Sequence, residues 1–293
     1  MIHKALYICL LFLFPLFAQA QPKGKSFSIA SNYEFTCPGT TNQIKLRIVV
    51  PQDIAGKQKV EQVTYSRDPR QVYSANGNRY AEFLIMNPSR KETIVMNANI
   101  TIYRNDYNSS RNNNADSTET STDKYLKSEK YIECDDPLIS QKARELQGYS
   151  DEETLQNIYN FVFNHVRYHG YILQPLGARA ALLLKRGDCT EFSDLFVALC
   201  RASGLPARSV SGFTIDWNNT PCHDWTEVYL PDKGWVAFDP TPGNYQQFRK
   251  LKNRYIYLSR VKNDNQLNGY EIYYYYYQGD KAEIRHSLKV RKR

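Results

Sequence analysis

Residues 187–213 read GDCTEFSDLFVALCRASGLPARSVSGF, and they set a cysteine at the head of a helix. Beyond Cys189, the apolar residues Phe192, Leu195, Phe196, Leu199 and Cys200 recur at the spacing of one helix face. Gly204 stops this helix and Pro206 prevents its resumption. Cys189 is therefore expected at a helix N-terminus, where unbonded backbone N–H groups and the positive end of the macrodipole favour thiolate over thiol. The same N–H groups can receive a developing oxyanion.

Downstream, His223-Asp224-Trp225 opens a strand-like run to Leu230, Pro231-Asp232-Lys233-Gly234 reads as a turn, and Trp235 to Asp239 reads as the next strand. With a further strand around Phe213, His223 and Asp239 enter from adjacent strands of one sheet facing the cysteine helix. Thiol acyl transfer needs these three residue types: a sulfur nucleophile, an imidazole to hold its proton, and a carboxylate to fix the tautomer of the imidazole. Taken singly, each has a structural reading, as a small buried thiol, a strand histidine and a turn aspartate before Pro240. Their order, beside Gly187, Trp225 and the Gly234-Trp235 pair, makes coincidence the weaker reading. Zinc on Cys200, Cys222 and His223 lacks a CxxC or HxxxH pair at ligand spacing, so neither a metal nor a cofactor is expected.

Three blocks, the 27 residues from Gly187 to Phe213, HDWTEVYL from His223 and GWVAFDPT from Gly234, resemble the transglutaminase-like superfamily over roughly residues 131–241, under half of the chain. The resemblance is to a secreted bacterial-type member. It implies an α+β, papain-like transglutaminase core with the nucleophile helix packed on an antiparallel sheet. It also implies Cys189 as nucleophile, His223 as base and Asp239 as orienting acid, acting on a peptide, protein or peptidoglycan-derived amide by hydrolysis or transamidation through a thioester. The Cys189 N–H is one oxyanion donor. Gln174 and Tyr171 are the candidates for the second, and loop packing is the alternative for both. Trp225 and Asp188 are candidates for the substrate cleft. A carboxylate beside the sulfur raises the thiol pKa, so Asp188 is read as pointing away. The competing class is a binding or scaffold protein of the cell envelope that kept the fold and lost the reaction.

Lys4, a 13-residue apolar run from Ala5 to Phe17, and Ala18-Gln19-Ala20 read as a secretory signal over residues 1–20, too short to span a bilayer. No second apolar run of spanning length is present, so an exported protein, periplasmic or extracellular, is expected. Beyond the signal stand Cys37, Cys134, Cys189, Cys200 and Cys222, an odd count that suits one free thiol plus pairs. Cys37 with Cys134 is the preferred bridge. The formal charge of +8 is concentrated at the C-terminus, in Lys281, Arg285, Lys289, Arg291, Lys292 and Arg293, read first as a solvated tail and second as a contact for an anionic membrane or cell-wall polymer. No nucleic-acid motif accompanies it, and nothing fixes the oligomeric state.

Period-two alternation at Ile44, Leu46, Ile48 and Val50, and again from Ile94 to Ile102, marks residues 21–123 as a small antiparallel β-sandwich. Asn76-Gly77 reads as a hairpin turn within it. The sandwich ends in a polar linker from Arg104 to Asp123. The catalytic core is expected at 124–246, with a helix capped by Ser150 and striped by Ile158, Phe161, Val162 and Val166. Residues 247–293 supply strand-like runs expected to complete the core sheet. Tyr273 to Tyr277 is read first as sheet-face packing and second as a substrate platform; the chain has 23 tyrosines.

Overall fold

A computed structural model of the chain describes residues 24–103, 121–215, 222–242, 248–249, 251 and 254–293. The signal and most of the polar linker lie outside the described residues. In chain order the elements are β1 (Lys25–Thr36), β2 (Thr41–Val50), β3 (Gln58–Tyr65), β4 (Gln71–Ala75), β5 (Asn78–Met86), β6 (Lys91–Ile102), α1 (Pro137–Glu145), α2 (Asp151–His165), β7 (Arg167–Tyr168) and α3 (Ala178–Leu184). Then come β8 (Arg186–Gly187), α4 (Cys189–Ala202), β9 (Ala207–Thr214), β10 (His223–Leu230), β11 (Gly234–Phe238), β12 (Tyr255–Ser259), β13 (Tyr273–Gly279) and β14 (Glu283–Lys292).

Two four-stranded antiparallel sheets, ordered β14-β1-β6-β3 and β13-β2-β5-β4, face each other as a sandwich. Alternate residues of β1, β2 and β6, among them Phe27, Ile29, Phe35, Ile44, Leu46, Ile94 and Ile100, fill the space between them. The β4–β5 hairpin turns on Asn76 and Gly77, both at positive φ as a two-residue turn of this kind demands.

The helix-bearing half has its own antiparallel sheet, β11-β10-β9-β12. Helix α4 lies on it, flanked by α1, α2 and α3. One apolar face was expected for α4, yet Glu191 to Arg201 is buried without interruption, because helices cover the sides that the sheet does not. The other face of the sheet meets the sandwich, where Phe213, Ile256 and Leu258 enter the sandwich core.

Two expectations are corrected. Of the last three strands only β12 joins the β11-β10-β9 sheet; β13 pairs with β2, and β14 with β1. The reason is visible in burial. Strands β9 and β12 are buried on both faces, whereas β14 alternates, with Ile284, His286, Leu288 and Val290 turned inward and charged residues outward, a pattern suited to one side of a sandwich. The basic C-terminus is thus an edge strand and not a loose tail. The expected Cys37–Cys134 bridge is also absent, both being free thiols. Cys37 packs in the sandwich core and Cys134 in the core of the helix-bearing half, where its Sγ donates to the Leu126 carbonyl.

Candidate active site

Helix α4 begins at Cys189 because Asp188 caps it. One oxygen of Asp188 accepts the Thr190 N–H at 2.8 Å, and Glu191 reaches back to the Asp188 N–H at 3.0 Å, a capping box. The same two carboxylates hold the preceding loop, Asp188 through the Ile172 N–H and Glu191 through the Leu176 N–H, each at 2.8 Å. Only glycine permits this at position 187, since a Cβ there would stand 2.2 Å from that of Glu191. The carboxylate of Asp188 therefore stays at the helix start and lines the cleft, instead of pointing away.

His223 opens β10 opposite Gly212 of β9, where a Cβ would lie 2.0 Å from the Ile256 carbonyl. Its Nε2 is 2.7 Å from Asp239 Oδ2, just past the end of β11. A carboxylate only accepts, so the ring proton lies on Nε2. Asp239 is held in turn by the Tyr255 hydroxyl at 2.7 Å and the Thr241 N–H at 3.0 Å. Burial works against both charged forms, but the pairing outweighs it: the His223 pKa is raised and that of Asp239 lowered. Tyr255, from a strand distant in sequence, and Tyr159, whose hydroxyl donates to the Asp239 carbonyl at 3.1 Å, are the supports that sequence reasoning missed.

The start of α4 meets β10 beside His223 through Asp224. The N–H of Asp224, the residue after His223, donates to the Cys189 sulfur, while Thr190 Oγ1 donates to the Asp224 carboxylate at 3.0 Å. The expected thiolate bias is not what the surroundings produce. Burial first, then the charges of Asp224 and Asp188, push the Cys189 thiol well above its ordinary range.

The cleft in front of Cys189 encloses about 1040 Å³. Tyr171 lines it, whereas Gln174 is exposed in the same loop. The opposite wall comes from β13 and β14, including Tyr273, Tyr275 and His286. The sheet-face packing read for the tyrosine run is seen at Tyr273 and Tyr275, which pack edge-on against Tyr33 and Phe35 of the sandwich. Trp225 is not a cleft residue. Fully buried, it stacks beneath His223 at a ring separation of 6.2 Å, because its sheet is covered on both faces.

Cys222, Asp224 and Glu271 bring three potential metal donors within 4.8 Å of one another. These donors are engaged internally. Ser211 Oγ and Thr190 Oγ1 hold Asp224, Cys222 Sγ donates to the Gly212 carbonyl, and Glu271, its pKa raised by burial and then by Asp224, hydrogen-bonds to Asp224.

Comparison with known proteins agrees with this geometry in class. Residues 140–240 match the family model of the transglutaminase-like superfamily, so the chain carries a transglutaminase-like domain on a papain-like thiol fold. A solved structure of a candidate cysteine protease from Cytophaga hutchinsonii superposes over 92% of this chain and 91% of its own, with a TM-score of 0.67 and 16% identity, a likeness of fold. Among curated proteins, an uncharacterized protein, YebA, of Bacillus subtilis is 40% identical over 20% of this chain, and a protein-glutamine gamma-glutamyltransferase of Pseudomonas aeruginosa is 28% identical over 27% of it. The matched stretches span only 10% and 14% of those two proteins. No helix among the described residues is long and apolar enough to cross a membrane.

Proposed function

We propose that the protein is an exported thiol enzyme that transfers the acyl group of a peptide or protein amide through a thioester on Cys189. The observation that carries this reading is the clamp on the imidazole: Asp239 and Tyr255 fix His223 with its proton on Nε2, one residue from the N–H that touches the Cys189 sulfur. Nδ1 of His223 takes the thiol proton, the sulfur attacks the carbonyl carbon, and the imidazolium returns the proton to the leaving amine. Water or a second amine then resolves the thioester. The Cys189 N–H receives the oxyanion, with Tyr171, which shares the cleft, as its partner.

The neutral resting thiol fits this scheme, since the proton leaves the sulfur as the carbonyl arrives. Peptides bearing glutamine and peptidoglycan-derived amides are the substrates to screen. Cys189→Ala should leave the melting temperature within a few degrees of wild type, yet reduce turnover by ~10⁴-fold or more, as loss of one member of a unit-acting triad does. Intact-mass detection of an acyl adduct on wild type but not on the variant tests the thioester directly. Turnover retained by Cys189→Ala would sink the reading.

A further inference from the structure

Strand β14 carries its cations on one face. Arg285, Lys289 and Arg291 stand exposed on one side of the period-two pattern, while His286, Leu288 and Val290 turn inward. Across the ladder on β1, Lys289 lies opposite Ala30 and Arg291 opposite Ser28, so the pairing sets no charge against either. Arg285 lies opposite Glu34 without forming an ion pair, and Glu283, the one acid within β14, is taken by Lys281 at 3.0 Å. Among the described residues, none of the three cations has an ion-pair or hydrogen-bond partner for its side chain.

Two of these cations, Arg285 and Lys289, line the same cleft as Cys189. Four residues at about 3.3 Å each place them about 13 Å apart along the strand. The carboxylates that line the cleft, Asp188 and Glu271, are already engaged, the first by the start of α4 and the second by Asp224. Charge on an edge strand such as β14 guards against pairing with another sheet, but that role does not require the charges to enter a cleft. We infer that Arg285 and Lys289 set the specificity of the site: they bind an extended, acidic segment of the polypeptide whose amide Cys189 attacks. This rests on the thiol acyl transfer proposed above. Side chains four residues apart in an extended peptide share one face at the same spacing of about 13 Å, so one carboxylate meets the Arg285 fork and the other the Lys289 ammonium. Tyr171 and Tyr270, largely exposed in the same cleft, supply ring surface for the bound segment. A membrane or a polymeric phosphate would meet Arg291 as readily as Arg285, whereas a single peptide chain can enter the cleft where Arg285 and Lys289 stand.

The test is fluorescence anisotropy with labelled peptides that share one glutamine and differ at two positions four residues apart, occupied by glutamate, by glutamine or by lysine. Titrated with the Cys189→Ala protein, so that no peptide is consumed, the glutamate peptide should bind ~5-fold more tightly than the glutamine peptide, the scale of two exposed ion pairs. That preference should vanish at about 1 M salt, where charges are screened beyond ~3 Å. Arg285→Glu together with Lys289→Glu should turn it toward the lysine peptide, an exchange that loss of structure does not produce. Arg291→Glu, outside the cleft, should leave it unchanged. Equal affinity for the glutamate and glutamine peptides, or a preference that the double variant leaves in place, overturns the inference. So does binding to phosphatidylglycerol vesicles that Arg291→Glu weakens as much as the double variant does, without discrimination among the peptides, which assigns the whole stripe to an anionic surface. Turnover by the wild type separates this inference from the reaction beneath it. Cys189-dependent turnover of all three peptides at equal kcat/KM overturns the specificity and leaves the reaction standing, and charge-dependent binding without turnover of any does the reverse.

Discussion

The sulfur of Cys189 stands in opposing fields. The start of α4 favours its charged form, while burial and the carboxylates of Asp188 and Asp224 oppose it and prevail. Asp188→Asn separates these influences, because asparagine caps a helix as well as aspartate does and carries no charge. The variant should therefore fold normally, and its Cys189 should react with iodoacetamide several-fold faster at neutral pH. A slower reaction would mean that the hold of Asp188 on the Ile172 loop outweighs its charge. Asp239→Asn runs the other way. An amide can donate where the carboxylate only accepted, so the imidazole loses the tautomer that faces the thiol. Turnover and alkylation of Cys189 should both fall steeply while the denaturation midpoint barely moves; an unfolded variant with normal specific activity would make Asp239 a turn residue. Cys189, His223 and Asp239 were legible in sequence because each opens or closes an element. Tyr255 was not, since its bond to Asp239 spans two elements with no spacing to announce it. Trp225 lies away from the cleft because its sheet is covered on both sides, which sequence alone does not reveal.

Among the elements, α4 carries the greatest burden of buried charge. Asp194, on its buried face, pairs with Lys262 at 3.1 Å. Burial opposes the charge on Lys262, but Asp194, Asp224 and Glu271 outweigh it and raise its pKa; burial in turn pushes the Asp194 carboxyl up to about 8, against the pull of Lys262. Asp194→Ala leaves that ammonium buried without its nearest partner, so a loss of roughly 3–5 kcal/mol is expected in urea denaturation. A loss within 1 kcal/mol would show that Asp224 and Glu271 suffice. The long, periodic α2 and α4 could be read from sequence, as could the Asn76-Gly77 hairpin. Helices α1 and α3 could not, spanning nine and seven residues, too few for a stripe to repeat. The Asp136-Pro137 start of α1 was a usable signal that went unread. Strands β13 and β14 were recognised as strands but given to the wrong sheet, because alternation reports that one face is buried and says nothing about against what.

At the scale of the molecule, polar groups join the sandwich to the helix-bearing half alongside the apolar contacts of Phe213, Ile256 and Leu258. Gln58 brackets Tyr257, donating to its carbonyl at 3.1 Å and accepting its N–H at 2.9 Å. Lys57 of the sandwich half pairs with Glu227 of β10. Burial disfavours the charge on Glu227, but Lys57, Arg208 and Arg260 overcome it and hold the carboxyl down to about 2. A carboxyl depressed in the folded state stabilises above its unfolded pKa, near 4.3, and loses that contribution as pH falls toward 2. Stability should therefore drop by roughly 3 kcal/mol between those limits through this group alone. Glu227→Gln should flatten that limb of the curve, as seen in chemical denaturation at stepped pH; an unchanged slope would assign the acid limb to other carboxylates. Strands β1 and β14 are neighbours, with Phe27 opposite Lys292, although the whole helix-bearing half lies between them in sequence. A ribosome releases β1 and β2 long before the strands that flank them, so both emerge with an open side and wait while the helix-bearing half is made. The outer edges of β1 and β2 therefore stay unpaired until β13 and β14 are made.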